Sequence, residues 1–227
     1  GGGGDPKVGR LLAKSMIQKY GPVNLISIDE LQDDQYVVPV SGMGAPTVSL
    51  EKLPSEIELT NPLQELERAF GKKADVIIPI EVGGINSLYP VGAAAKLHLP
   101  ILDADAIGRA FPEAQMETFH LHGLEPEQVA VGDEKGNVAL LKPINAYWSE
   151  YMSRALTVQM GGSASVSDYF LAGKDVKGSV VNGTLSLARE IGEILMHQED
   201  YDDVFKALLD RLNGFELYDG KVTAVTR

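Results

Sequence analysis

Apolar residues recur at helical spacing near the start of the chain, at Val8, Leu11, Leu12, Met16 and Ile17, predicting a helix that runs to Tyr20. Asp5 stands at the N-cap position, Pro6 in the first turn and Gly21 just past the end. The pattern then changes to short apolar runs, 23–28 and 36–40, both read as strands. The second run enters Gly42-Met43-Gly44-Ala45-Pro46, which predicts a tight loop turning backbone N–H groups toward a cleft. Asn61, Pro62 and Gln64 give an N-cap, a first-turn proline and a capping-box residue for a helix ending at Phe70.

Ala74 to Ile80 has the apolar density of a buried strand and runs into Glu81-Val82-Gly83-Gly84. A helix from Asn86 to Leu97 and a strand at 100–102 follow, completing a βαβ unit with a parallel pair. Further on, 129–131 and 138–141 pair as a hairpin through the Asp133–Asn137 turn. Asn145 to Val158 is predicted helical and contains Trp148, the one tryptophan. Gly161-Gly162-Ser163-Ala164-Ser165 is read as a hinge or loop, 184–197 and 201–212 as helices, and 214–227 as a strand pair broken off at Arg227. The architecture expected is α/β: a three-layer sandwich around a mostly parallel sheet. With no initiator Met, four glycines directly before a helix and that interrupted ending, the chain reads as a fragment.

Composition narrows the function. Of 227 residues 44% are hydrophobic and the net charge is −12, so polyphosphate and anionic membranes are disfavoured partners. No stretch supplies the roughly 18 apolar residues of a membrane helix. There is no cysteine, which removes thiolate nucleophiles, Cys-zinc sites and iron–sulfur clusters and fits the cytoplasm. Glycine is abundant, at 24 residues, and clustered beside the predicted strands.

Ligands of open α/β sheets bind outside the carboxyl ends of the strands, where Glu81 and Asp103 both fall. Glu81 could serve as a base or accept ligand N–H groups, while Asn86 would cap the next helix. Asp103 and Asp105 share a face if the chain is extended there; they could hold a divalent cation, divide into acid and base, or pair with Arg109. The opening glycines resemble an anion cradle, but Asp5 would repel a phosphate, leaving a neutral carbonyl ligand or a packed tight turn. His120 and His122 would share one face of a strand, either a zinc-binding arrangement or, the preferred reading, a solvent-facing edge. No Gly-x-Ser-x-Gly elbow is present.

Taken in order, Gly1-Gly2-Gly3-Gly4-Asp5-Pro6, Gly42-Met43-Gly44-Ala45-Pro46-Thr47-Val48 and Glu81-Val82-Gly83-Gly84-Ile85-Asn86 resemble the S-methyl thiohydantoin desulfurase family. Asp103-Ala104-Asp105 with Gly108 through Met116 completes the likeness. The resemblance implies an N-terminal α/β domain, taken as residues 1–160, and a helical segment plus the start of a truncated β-rich domain over 161–227. It also implies removal of sulfur from a thiohydantoin or action on a hydantoin-like ring.

On that basis Glu81, Asp103 and Asp105 are the candidate acid–base groups. Gly3, Gly4, Asp5, Gly44, Gly83, Gly84, Asn86 and Arg109 are the candidate substrate-binding residues. A divalent metal and a homo-oligomer are left open. The alternative is a noncatalytic binding module or an oligomer-forming subunit.

Overall fold

The computed structural model describes residues 4–45, 47–52, 54–197 and 201–226. They divide into two compact units, Gly1–Leu185 and Ser186–Arg227. In chain order the first unit opens with α1 (Pro6–Tyr20), β1 (Leu25–Ile26), β2 (Tyr36–Gly44), α2 (Val48–Glu51) and α3 (Glu56–Phe70). The expected βαβ unit follows as β3 (Val76–Pro79), α4 (Tyr89–Leu97) and β4 (Ile101–Leu102). Beyond it lie β5 (Ala104–Asp105), α5 (Thr118–Leu121), β6 (Val129–Gly132), β7 (Val138–Leu141) and α6 (Ala146–Gln159). The unit closes with β8 (Ser163–Ser167), β9 (Leu171–Ala172), α7 (Gly173–Val176), β10 (Val181–Asn182) and the start of α8 (Thr184–His197).

The main sheet runs β1-β4-β3-β2-β8-β6-β7, with β9 pairing β2 as well. From β1 to β2 every pairing is parallel; from β2 onward β8, β6 and β7 add antiparallel neighbours. Along one edge β2 changes partner, pairing Tyr36–Val37 with β9 and Ser41–Gly44 with β8. Pro39, which has no N–H to give, falls between those two partners.

Alternation along the parallel strands fills both faces. Val38, Val40 and Ile77 pack with Met16, Leu59, Leu63, Leu66 and Ala93–Ala95 under α1, α3 and α4. Val37, Val76 and Ile78 point the other way, against Leu31, Leu102, Phe119, Tyr169 and Val176. In the antiparallel half Val129, Val131, Ala164 and Val166 meet Leu156 of α6 and Met160, its C-cap. A sheet buried on both sides explains why β3 reads as a continuous apolar run, and it makes the α/β sandwich expected from the pattern.

Helix ends explain where several boundaries lie. Asp5 caps α1 by accepting from the Lys7 N–H at 2.7 Å, and Gly21 closes it, both as expected. α3 starts earlier than expected: Ser55 is its N-cap, accepting from the Glu58 N–H, and Asn61-Pro62 lies in the helix interior. The ring of Pro62 packs where a side chain on Gly132 would meet it at 3.1 Å, so tertiary packing holds the proline there.

Four further expectations are corrected. Gly42-Met43-Gly44 is strand rather than tight loop, and Gly161–Ser165 leads directly into β8 rather than forming a hinge, because each segment supplies the other's ladder. His120 and His122 lie on and just after α5, not on a strand; His120 Nδ1 is 3.0 Å from Glu125 and His122 Nδ1 lies 2.8 Å from the Thr118 carbonyl. The second unit holds the rest of α8 and α9 (Tyr201–Leu212), with Arg211 paired to Glu190. Residues 214–226 form neither helix nor strand, against the strand pair expected there. No helix among the described residues is long and apolar enough to cross a membrane.

Candidate functional site

β2 and β3 end side by side, and the chain beyond them opens into a cavity of about 210 Å³. Gly4, Ser41–Ala45, Ile80, Glu81, Ile85, Asn86 and Tyr89 form one wall. The second wall comes from Ile107 and Phe111–Ala114, from Glu117, from Glu150 and Arg154 of α6, and from Ser163, Val166 and Asp168 around β8, which joins the first where Ser41 pairs with Val166 and Gly44 with Ser163. The cavity is smaller than the usual ~300–1,000 Å³ of drug-sized sites and suits one small ring.

On the first wall Glu81 follows β3 directly and is only 5% exposed. Asn86 holds it: the Asn86 amide donates to Glu81 Oε1 at 2.8 Å while its own Oδ1 accepts the Gly42 N–H at 2.7 Å. This side chain therefore ties the β3 loop to β2, and it is not the cap of α4, whose N-cap is Leu88. Burial pushes the Glu81 pKa above the ordinary carboxylate range; the Asn86 hydrogen bond opposes the shift and the Asp105 charge adds to it.

The glycines make close packing possible behind this wall. A Cβ on Gly84 would stand 2.0 Å from the Gly4 carbonyl oxygen, and one on Gly4 would meet Ile85 at 2.6 Å. Gly4 also has a positive φ of 75°. These residues lock the start of α1 onto the loop between β3 and α4, the packed turn that was the second reading of the opening glycines. Gly3 lies outside the described residues, as does Pro46.

The second wall is acidic. Glu117 occupies the N-cap position of α5 but makes no capping bond, and Asp168 follows β8; they are 2% and 3% exposed. Glu150 is buried too, yet it accepts from the Ala114 N–H at 3.1 Å and from Arg154 Nε at 2.6 Å. Burial, reinforced by Asp168 and then Glu150, raises the Glu117 pKa well above the usual range. Asp168 is pushed up to about 6, again chiefly by burial, against the hydrogen bond from Glu117.

Two domain models match the sequence end to end: S-Me-THD-like N-terminal domain over residues 1–143 and S-Me-THD-like C-terminal domain over residues 144–227. The chain belongs to the S-Me-THD-like family, that of the S-methyl thiohydantoin desulfurases. The solved structure of a Chromobacterium violaceum protein shares its fold, with a TM-score of 0.80 and 24% identity over 93% of this chain. The chain spans 61% of that protein's length. No curated protein matches the sequence.

The family motifs converge only in part. Gly4, Gly42–Ala45, Glu81 and Asn86 reach the cavity, whereas Gly83 and Gly84 stand behind it. Asp5 is occupied as the α1 cap. Asp105 is fully buried outside the lining, accepting the Ile107 and Gly108 N–H groups, with its pKa raised mainly by burial. Asp103 is half-buried away from the lining; its N–H donates to the Ile26 carbonyl at 2.8 Å and its carbonyl accepts from Gly183 at 2.7 Å. Arg109 is exposed over the Phe111 ring, 5.2 Å from its centroid, instead of pairing with either aspartate.

Sequence reasoning missed Glu117, Glu150 and Asp168. The motif quoted for the family stops at Met116, one residue short of Glu117, and the polar alternation Ser163, Ser165, Ser167 before Asp168 is a strand signal hidden by the glycine pair. Among the described residues no group of three His, Asp or Glu side chains is arranged to hold a metal ion.

Proposed function

We propose that this protein is a hydrolase that removes sulfur from an S-methylated thiohydantoin ring by carboxylate acid–base chemistry. One observation carries the reading. Glu81 and three further buried carboxylates, Glu117, Glu150 and Asp168, line one ring-sized cavity at the carboxyl ends of β2 and β3, the place where open α/β sheets bind ligands. The family name supports the substrate class.

Hydrolysis adds water to the ring carbon that bears sulfur. The C–O bond forms, the C–S bond breaks, and the two protons of water end on the ring nitrogen and on the leaving methanethiol. Glu81 is the group proposed to take the proton from water, with Asn86 fixing the rotamer of its carboxylate. The Gly42–Ala45 segment lets backbone approach the ring closely. The Ser41 hydroxyl points to the Val166 carbonyl at 3.4 Å, and a serine nucleophile forms no part of the reading.

The test is methanethiol release from a panel of S-methyl thiohydantoins. Turnover by the wild type and a fall of about 10²–10⁴-fold in Glu81→Gln is the expected result. An inert wild type, or a Glu81→Gln variant at full rate, would refute the proposal.

A further inference from the structure

We infer that Glu117 and Asp168 act as one unit that keeps a single proton at neutral pH and delivers it to the departing sulfur. The last step rests on the reaction proposed above; the shared proton does not. Both carboxyl groups line the cavity and both are almost fully buried. Neither Glu117 Oε2 nor Asp168 Oδ1 receives an N–H or O–H donor from the described residues. An ionised carboxylate only accepts, so two of them buried together, each with an oxygen that no donor reaches, are strongly disfavoured. One proton between them converts that repulsion into a hydrogen bond, as in carboxylate dyads that cannot both ionise.

Among the described residues that line the cavity, the one cation is already engaged. Arg154 is the cation on this wall, and its guanidinium is engaged by Glu150 and by the Pro112 carbonyl at 3.0 Å. Glu150 adds negative charge toward both members. The Tyr169 hydroxyl is committed to the Leu124 carbonyl at 3.3 Å. Glu81, Tyr89 and the exposed Glu113 complete the titratable lining of the cavity. Behind Tyr89, Glu58 is a further buried carboxyl, raised to about 7 chiefly by burial.

The proton balance closes within these groups. Glu81 takes a proton from the attacking water and returns it to the ring nitrogen as the hydroxyl adds to carbon. When the tetrahedral carbon collapses, the C–S electron pair leaves with sulfur, which takes the dyad's proton. The hydroxyl proton released as C=O forms restores the dyad.

The test begins without substrate. Infrared difference spectra of wild-type protein at pH 8 should contain a protonated-carboxyl C=O band that is absent in Glu117→Gln, with near-UV circular dichroism unchanged. Asp168→Asn gives a second variant should the first fail to fold, and it should shift the same band. Identical bands in wild type and both variants would overturn the shared proton, whatever the activity.

In the second arm, methanethiol release by Glu117→Gln should fall about 10²–10⁴-fold, and the alkaline limb of the wild-type pH profile should be lost. The band difference together with full activity in Glu117→Gln would overturn delivery to sulfur. The band difference with no thiol release from the wild type would instead remove the desulfurisation reading and leave the shared proton standing.

Discussion

The two walls of the cavity solve the problem of a buried carboxylate in opposite ways. Glu81 receives an N–H from Asn86, which in turn is held by the Gly42 backbone, so its charge is met by a neutral donor on a fixed frame. Glu117 Oε2 and Asp168 Oδ1 receive no donor from the described residues, and Asp168 raises the cost of ionising Glu117. Glu150 is a third case, neutralised by Arg154 on the next turn of α6. A carboxylate with a donor is prepared to accept a proton; a pair with an unsatisfied oxygen on each member is prepared to hold one. In the reaction proposed above, the contrast assigns the base to Glu81 and the acid to the pair.

The largest expected effects come from erasing either side. Glu81→Gln and Glu117→Gln should each lower turnover about 10²–10⁴-fold. Their pH behaviour should differ, since only Glu117→Gln removes a member of the inferred proton-sharing pair.

That difference also appears in stability. Folding raises the Glu117 pKa from its ordinary value of 4.5. The folded protein then binds a proton that the unfolded chain gives up, and stability from this group is fully present below pH 4.5 and lost as pH rises through the raised value. Thermal melts across pH should therefore show Glu117→Gln gaining on the wild type as pH increases. A constant gap between the two curves would contradict the raised pKa.

Breaking the frame around Glu81 comes next. Asn86→Leu leaves the Gly42 N–H and Glu81 Oε1 without their partner and should cost about 1–3 kcal/mol in denaturant unfolding. Gly84→Ala drives a methyl into the Gly4 carbonyl and should cost about 1–3 kcal/mol with the carboxylates untouched. The smallest effect is expected at Arg109→Ala, on an exposed side chain outside the lining, where stability should change by no more than about 0.5 kcal/mol. A large loss of activity there would enlarge the site beyond the cavity.

The parallel half of the fold was legible because its signals are local. Val76–Pro79, the glycine pair and the α4 pattern announce strand, loop and helix in order, and Asp5 and Gly21 bracket α1 by their own backbone chemistry. The antiparallel half was less so. β8 pairs with a strand more than a hundred residues earlier, and neither Gly161-Gly162 nor Gly42-Met43-Gly44 reveals that the other completes its ladder.

The same distance hid half of the site. Glu81 could be read from its own motif because strand end, carboxylate and glycines are consecutive. Glu117, Glu150 and Asp168 acquire meaning only when the segment before α5, the middle of α6 and the end of β8 come together. Asp103 and Asp105 mislead for the converse reason: the Asp-Ala-Asp spacing is conspicuous, but Asp105 spends its carboxylate on the turn that follows it.

The central claim is that one ring sits between these two walls. A crystal structure of the protein soaked with a hydantoin, the product ring, tests it most directly. The account predicts ring density inside the cavity, within hydrogen-bonding distance of Glu81 on one side and of Glu117 or Asp168 on the other. A ring bound beside Asp103 and Arg109 with the cavity vacant would contradict it.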